Sequence, residues 1–157
     1  MNKNVIISVK GTQTAESQDE NKLELVTEGK YYKKGSTYYV SYKESDLTGM
    51  EGTTTTLKIC DDGKVTLMRF GTVNSQFVFE KGQRHISHYD TSFGNFTVGV
   101  FANTVDVNVD DFGGEVSVDY QLDVDEKGPG YNDFYLRITQ ADGNEFQADA
   151  EGALEIQ

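Results

Sequence analysis

The chain predicts an all-β fold, a single domain of antiparallel strands closed into a barrel. Three observations predict it. Apolar and polar residues alternate with period two along most of the chain, as on strands with one buried face and one wet face. Turn pairs such as Lys34-Gly35, Asp62-Gly63 and Lys81-Gly82 punctuate that alternation and suit tight hairpins. Helix-period patterning is nearly missing; only SDLTGM (45–50) suits a single helical turn.

In chain order, a first strand carries Val5, Ile7 and Val9, and a second carries Leu23 and Leu25 before Lys34-Gly35 turns it into YYVSYK (38–43). Residues 53–60 form a Thr-rich strand that suits a pleated surface. Asp62-Gly63 leads into VTLMRF (65–70), then a shorter strand, QFVFE, turns at Lys81-Gly82 into QRHISHYD. From 96 to 109 the parity slips: Phe96, Val98, Val100 and Ala102 share one face, and Val105, Val107 and Val109 continue on the other parity. A bulge or bend near Asn103 accounts for the slip. DFGG (111–114) makes the next turn. EVSVDYQLDVD then alternates most cleanly, with Val116, Val118, Tyr120, Leu122 and Val124 on one face. Pro129, the single proline, sits in the loop KGPGYN, and NDFYLRITQ closes the series with Phe134, Leu136 and Ile138 on one face.

The count is roughly eight to ten strands. A sandwich and an up-and-down barrel both fit the pattern. Long consecutive strands, one of them bent, favour the barrel, because closure removes the sticky edges such strands expose. Residues 1–140 are expected to form the barrel domain, and 141–157 an acidic, flexible tail with sparse apolar residues.

A chain of 157 residues suits one domain and is long enough for a core without a metal or disulfide. The net charge is −12, which repels phosphate backbones and anionic headgroups, so nucleic acid and membrane surfaces are not expected as partners. Cys60 is the only cysteine, which excludes an internal disulfide. The start, MNKNVIISVKGTQ, has too short an apolar run for a secretory signal, and no stretch approaches the ~18 apolar residues of a spanning helix. The expectation is a cytoplasmic protein.

One combination of motifs is more particular. Arg69 and Gly71 form an Arg-x-Gly at a strand end, Phe79 and Gly82 a Phe-x-x-Gly turn, Tyr89 precedes the pair Phe93-Gly94, and Gly114 precedes a strand bearing Tyr120. In this combination the chain resembles the YwiB-like family, bacterial proteins of unknown function with a calycin-type, lipocalin-like β-barrel. The resemblance spans roughly residues 5–140 and implies the fold but no activity. Ordinary lipocalins carry a Gly-x-Trp near the first strand, and Trp is absent here, so the comparison with lipocalins stays at the level of fold.

The densest chemistry lies in FEKGQRHISHYDTSFGNF (79–96). His85 and His88, three apart on a strand, point to opposite faces and cannot share a metal. His85, Ser87 and Tyr89 share a face, but same-face neighbours lie ~6.6 Å apart on a strand, too far for a nucleophile and its base. DVNVDDFGGEVS places Asp111 and Ser117 where a calcium loop needs Gly and Glu. No metal, cofactor or catalysis is therefore expected. A strand polar on both faces suits either a wet barrel mouth or an exposed edge.

The arginines, Arg69, Arg84 and Arg137, all lie within predicted strands. An inward guanidinium holds an anionic ligand head in a bidentate fork that Lys cannot match; the bland alternative is a carboxylate partner or an outward position. Arg69, Arg84, His88, Tyr89 and Tyr120 form the candidate ligand-binding set. The function they suggest is non-catalytic binding of a small-molecule ligand inside the barrel. The alternative is a protein-interaction or structural module with a side-chain-filled barrel. The sequence sets neither the ligand nor the oligomeric state.

Overall fold

The structure, a computed structural model, describes residues 2–14, 20–124 and 130–141. In chain order the strands are β1 Asn2–Thr14, β2 Glu20–Lys34, β3 Thr37–Lys43, β4 Thr54–Ile59 and β5 Val65–Phe70, then β6 Asn74–Phe79, β7 Arg84–Thr91, β8 Gly94–Asp110, β9 Gly113–Val124 and β10 Gly130–Gln140. Each pairs antiparallel with its chain neighbours, and β1 pairs with β10, so the sheet closes into a barrel. The choice left open between sandwich and barrel is settled by that last ladder. The expected tail lies outside the described residues after Ala141.

The alternation read from the sequence becomes the inside and outside of the wall. Val5, Ile7 and Val9 of β1, Leu57 and Ile59 of β4, Val116 and Val118 of β9, and Leu136 and Ile138 of β10 all join one buried cluster. The parity slip in β8 is a register shift between Ala102 and Thr104 against β9. With one extra residue in the wall, Val98, Val100 and Ala102 and then Val105, Val107 and Val109 all pack on the same core. SDLTGM holds one 3₁₀ turn, Asp46–Thr48, capped by the Ser45 side chain, which accepts from the Leu47 amide.

The two ends of the barrel differ. At the end formed by the β2–β3, β4–β5 and β8–β9 turns, large side chains fill the interior. Tyr31 is fully buried and stacks on Tyr38 with ring centroids 5.3 Å apart. Its hydroxyl donates to the Asp110 carbonyl at 2.7 Å, and the Tyr38 hydroxyl donates to Asp111 Oδ1 at 2.5 Å. The Lys3 ammonium reaches the Asp111 carbonyl at 2.7 Å, which ties β1 to the same turn. This end is plugged.

The opposite end is framed by the β3–β4 loop, the β5–β6 turn and the β7–β8 turn. Here the Arg-x-Gly motif acquires its physical reason. Gly71 has φ +133°, and a Cβ on it would sit 2.1 Å from the Gly52 carbonyl oxygen. Only glycine lets the β5–β6 turn press against the β3–β4 loop. The contact is fastened by Thr72 Oγ1 donating to the Glu51 carbonyl at 2.7 Å and by the Val73 amide donating to Thr53 Oγ1 at 3.1 Å.

One ladder is short. β6 and β7 pair only at Asn74↔Asp90 and Ser75↔Tyr89, and then diverge. The Ser87 hydroxyl bridges to the Gln76 carbonyl, and the Gly82 amide donates to the Ala102 carbonyl at 2.8 Å, so β8 supports the hairpin where β6 and β7 part.

Candidate functional site: a cavity at the open end

Four inward-facing apolar stripes end in polar groups at the open end. On β3 the parity of Val40 and Tyr42 carries on to Glu44. On β5 Val65 and Leu67 lead to Arg69; on β4 Ile59 and Leu57 lead back to Thr55 and Thr53; on β9 Val116 and Val118 lead to Tyr120. β3, β4 and β5 are neighbours in the sheet, so Glu44, Thr55 and Arg69 meet.

The Glu44 side chain is 2% exposed and that of Arg69 is 15% exposed, with Arg69 Nε 3.9 Å from Glu44 Oε2. That is an ion pair too long for a hydrogen bond, and Arg69 Nε is buried without a hydrogen-bond partner among the described residues. The carboxylate is better served: Thr55 Oγ1 donates to Glu44 Oε2 at 2.5 Å. The Tyr42 hydroxyl is pushed well up from its ordinary value, chiefly by burial and then by the Glu44 carboxylate, against the opposing charge of Arg69. The Tyr120 hydroxyl is also pushed up, first by burial; the Arg69 charge opposes this and Tyr89 adds to it. Both phenols are therefore hydroxyl donors at neutral pH.

These groups border a cavity of about 320 Å³. Its apolar wall comes from Val9, Leu23, Leu25, Met50 and Phe134, and its polar wall from Tyr42, Glu44, Arg69 and Tyr120. It reaches the surface beside Gln13, Lys22 and Asp133, which are exposed.

The sequence-derived candidates divide. Arg69 and Tyr120 line the cavity. Tyr89 packs against the core, edge-on to Phe77 with centroids 6.0 Å apart. Arg84 and His88 are not brought to the cavity: both are exposed and lie on the outer face. On β7 the half-buried or buried residues are His85, Ser87, Tyr89 and Thr91, so the even-numbered side chains point out. Arg84 lies across the bare backbone of Gly99 and makes two hydrogen bonds to Asp123, at 2.9 and 3.1 Å. It is the carboxylate-paired surface arginine of the bland alternative, and the wall separates it from Arg69. His88 borders a shallow outer groove with Met68 and Ile86.

His85 Nε2 lies 3.0 Å from Glu80 Oε1. Among the described residues no three His, Cys, Asp or Glu side chains converge as metal ligands would. Glu44, Tyr42 and Thr55 were not singled out from the sequence. The signal was present for Glu44: it continues the parity of Tyr38, Val40 and Tyr42, which places a carboxylate on an apolar face.

Fold and site together define a class: a small antiparallel barrel plugged at one end and hollow at the other, with a ligand-sized space in the hollow half. The chain belongs to the family described as a domain of unknown function, DUF1934, whose model matches residues 7–136. It is 30% identical over 106 residues, 67% of this chain and 72% of that protein, to the uncharacterized beta-barrel protein YwiB of Bacillus subtilis (strain 168). The fold is similar to the crystal structure of the ywiB protein from Bacillus subtilis, with a TM-score of 0.78 and 24% identity over 90% of this chain and 94% of that one. The resemblance carried by the Arg-x-Gly, Phe-x-x-Gly and Phe-Gly motifs is thus a family membership.

Proposed function

We propose that the protein is a non-catalytic, calycin-type binding barrel of the cytoplasm that holds one small molecule in its hollow end. The observation that carries this reading is the cavity of about 320 Å³ with an apolar wall and a confined polar patch. Its volume is at the lower end of ligand pockets, which run from about 300 to 1,000 Å³, and its mixed lining is typical of them. The absence of catalysis is supported by how the reactive groups are engaged: the Ser87 hydroxyl donates to a backbone carbonyl and His85 faces Glu80. The surplus of acidic over basic residues, 26 to 14, supports a partner that is not a nucleic acid.

Native mass spectrometry of freshly purified protein tests the proposal. A small-molecule adduct is expected on the wild type and should be lost from Leu23→Trp, which fills the cavity from its apolar wall. An adduct kept equally by both variants refutes it by placing the ligand elsewhere. So does a bare wild-type mass, if a small-molecule extract also leaves the cavity resonances unmoved.

A second reading has its own observation. Phe70 and Ile86 are 77% and 59% exposed and border an outer groove of about 420 Å³ where β6 and β7 diverge. Such a patch suits a protein partner. Under that reading, Phe70→Ser abolishes an association that Leu23→Trp leaves intact.

A further inference from the structure

The polar wall also indicates the charge of what the cavity accepts. An inward arginine ordinarily suggests an anionic ligand, but here its charge already has a match. Glu44 sits 3.9 Å from Arg69 Nε with only 2% of its side chain exposed. The remaining pair at the mouth, Lys22 and Asp133, is exposed and of opposite sign. Among the described residues, the charged groups lining the cavity therefore sum to zero, inside a protein whose net charge is −12.

Arg69 is short of something else. Its Nε is buried without a hydrogen-bond partner among the described residues, and its contact with Glu44 is too long to be a hydrogen bond. Tyr120, half-buried beside it and kept protonated by burial, adds a hydroxyl donor on the same wall. Glu44 Oε2, the oxygen that faces Arg69, already accepts from Thr55 Oγ1. Among the described residues, the wall thus presents donors that lack an acceptor, and no uncompensated positive charge. A second carboxylate brought to Arg69 would lose its hydration and meet the repulsion of Glu44 in a site shielded from water, and both effects weigh against it. A carbonyl oxygen meets neither.

We propose that the cavity selects an electrically neutral ligand, with an apolar body on the Leu23, Leu25 and Phe134 wall and one carbonyl-type acceptor received by Arg69 and Tyr120. The proposal rests on the binding reading above and names the ligand class for it.

The test uses a matched pair, hexanamide and hexanoate, titrated into ¹⁵N-labelled full-length wild type. The Nε–Hε region of the spectrum holds three arginine signals, from Arg69, Arg84 and Arg137, so Arg69 can be followed directly. Hexanamide should shift the Arg69 signal and leave the Arg84 signal in place. It should bind at least about tenfold more tightly than hexanoate, a difference of about 1.4 kcal/mol. In Glu44→Gln the counter-charge is gone, and the preference should narrow or reverse toward hexanoate. Tighter binding of hexanoate by the wild type overturns the proposal, as does a preference that Glu44→Gln leaves unchanged. Should Glu44→Gln fail to fold, the wild-type comparison alone decides. If neither compound moves Arg69 but the purified protein retains its adduct, the ligand class is wrong and the binding reading survives. If the adduct is missing too, both fall.

Discussion

Replacing Arg69 by Met removes one partner of an enclosed ion pair and leaves the other in place. Glu44 would keep its hydrogen bond from Thr55 at 2.5 Å but lose the cation 3.9 Å away, with 2% of its side chain reaching solvent. At an effective dielectric constant of 20, two unit charges at that distance attract by about 4 kcal/mol. Stranding one member of a buried pair costs about 3–5 kcal/mol. The missing hydrogen bond and the 15% exposure of Arg69 on the cavity side place this case at the low end, about 3 kcal/mol. For a chain of this length that corresponds to a fall in Tm of about 6–12 °C. Arg69→Met/Glu44→Gln removes both charges while Gln keeps an acceptor for Thr55. It should recover at least about 1.5 kcal/mol of the loss. Urea melts of the wild type, both single variants and the double variant give the cycle, with the denaturant slope unchanged if the folded state is intact. The reasoning is refuted if Arg69→Met falls within about 0.5 kcal/mol of wild type, or if the double variant is no more stable than Arg69→Met alone.

Arg84→Met should cost under about 1 kcal/mol in the same melts, because its pair with Asp123 is half-exposed, and it should leave ligand retention unchanged; loss of retention would return Arg84 to the site. Gly71→Ala forces a Cβ to within 2.1 Å of the Gly52 carbonyl at φ +133° and should cost about 2 kcal/mol or more in a thermal melt, whereas a shift of a few tenths would mean that the two loops separate without penalty. The tyrosines give a pH signature. Tyr31, Tyr42 and Tyr120 are raised above their ordinary value of 10.0, each chiefly by burial. Because the folded state holds these protons more tightly than the unfolded chain, their contribution to stability is complete below pH 10 and is lost as the pH rises further. An ultraviolet titration should therefore find these tyrosines ionising only together with alkaline unfolding; reversible ionisation of all nine tyrosines near pH 10 in a folded protein contradicts the packing.

Much of the wall was legible because a strand's period is fixed by geometry. The parity of Val116 to Val124, the hairpin at Asp62-Gly63 and the irregularity at Asn103 all follow from local rules, and the register shift falls between Ala102 and Thr104. The ends of β1 were not legible. The sequence pattern marks Val5 to Val9, whereas the strand runs Asn2–Thr14. Its polar ends are held by backbone ladders to β2 and β10, and a ladder leaves no mark on side-chain type. β7 misled for a related reason. Its most apolar residue, Ile86, faces out at 59% exposure, while His85, Ser87 and Tyr89 face in, so composition alone could not orient Arg84 and His88. The pairing of Glu44 with Arg69 depends on three strands becoming neighbours, and no local spacing reports it.

The ladder between β1 and β10 also sets an order of events during synthesis. Val5 pairs with Gln140 and Thr14 with Tyr131, so the first strand of the barrel to be made finds its second partner only when the barrel's last strand has emerged. Until β10 is made the ring cannot close, and the β1 backbone groups that pair with it have no partner. Such edges template pairing with other chains, and closing the circle late brings together residues separated by nearly the whole barrel, which slows folding. In a crowded polysome, two neighbouring nascent chains can each supply the strand the other still lacks. Exchange of Gly130–Gln140 between copies is therefore the misassembly this topology invites, and a chain arrested before that segment is the species a chaperone would have to shield.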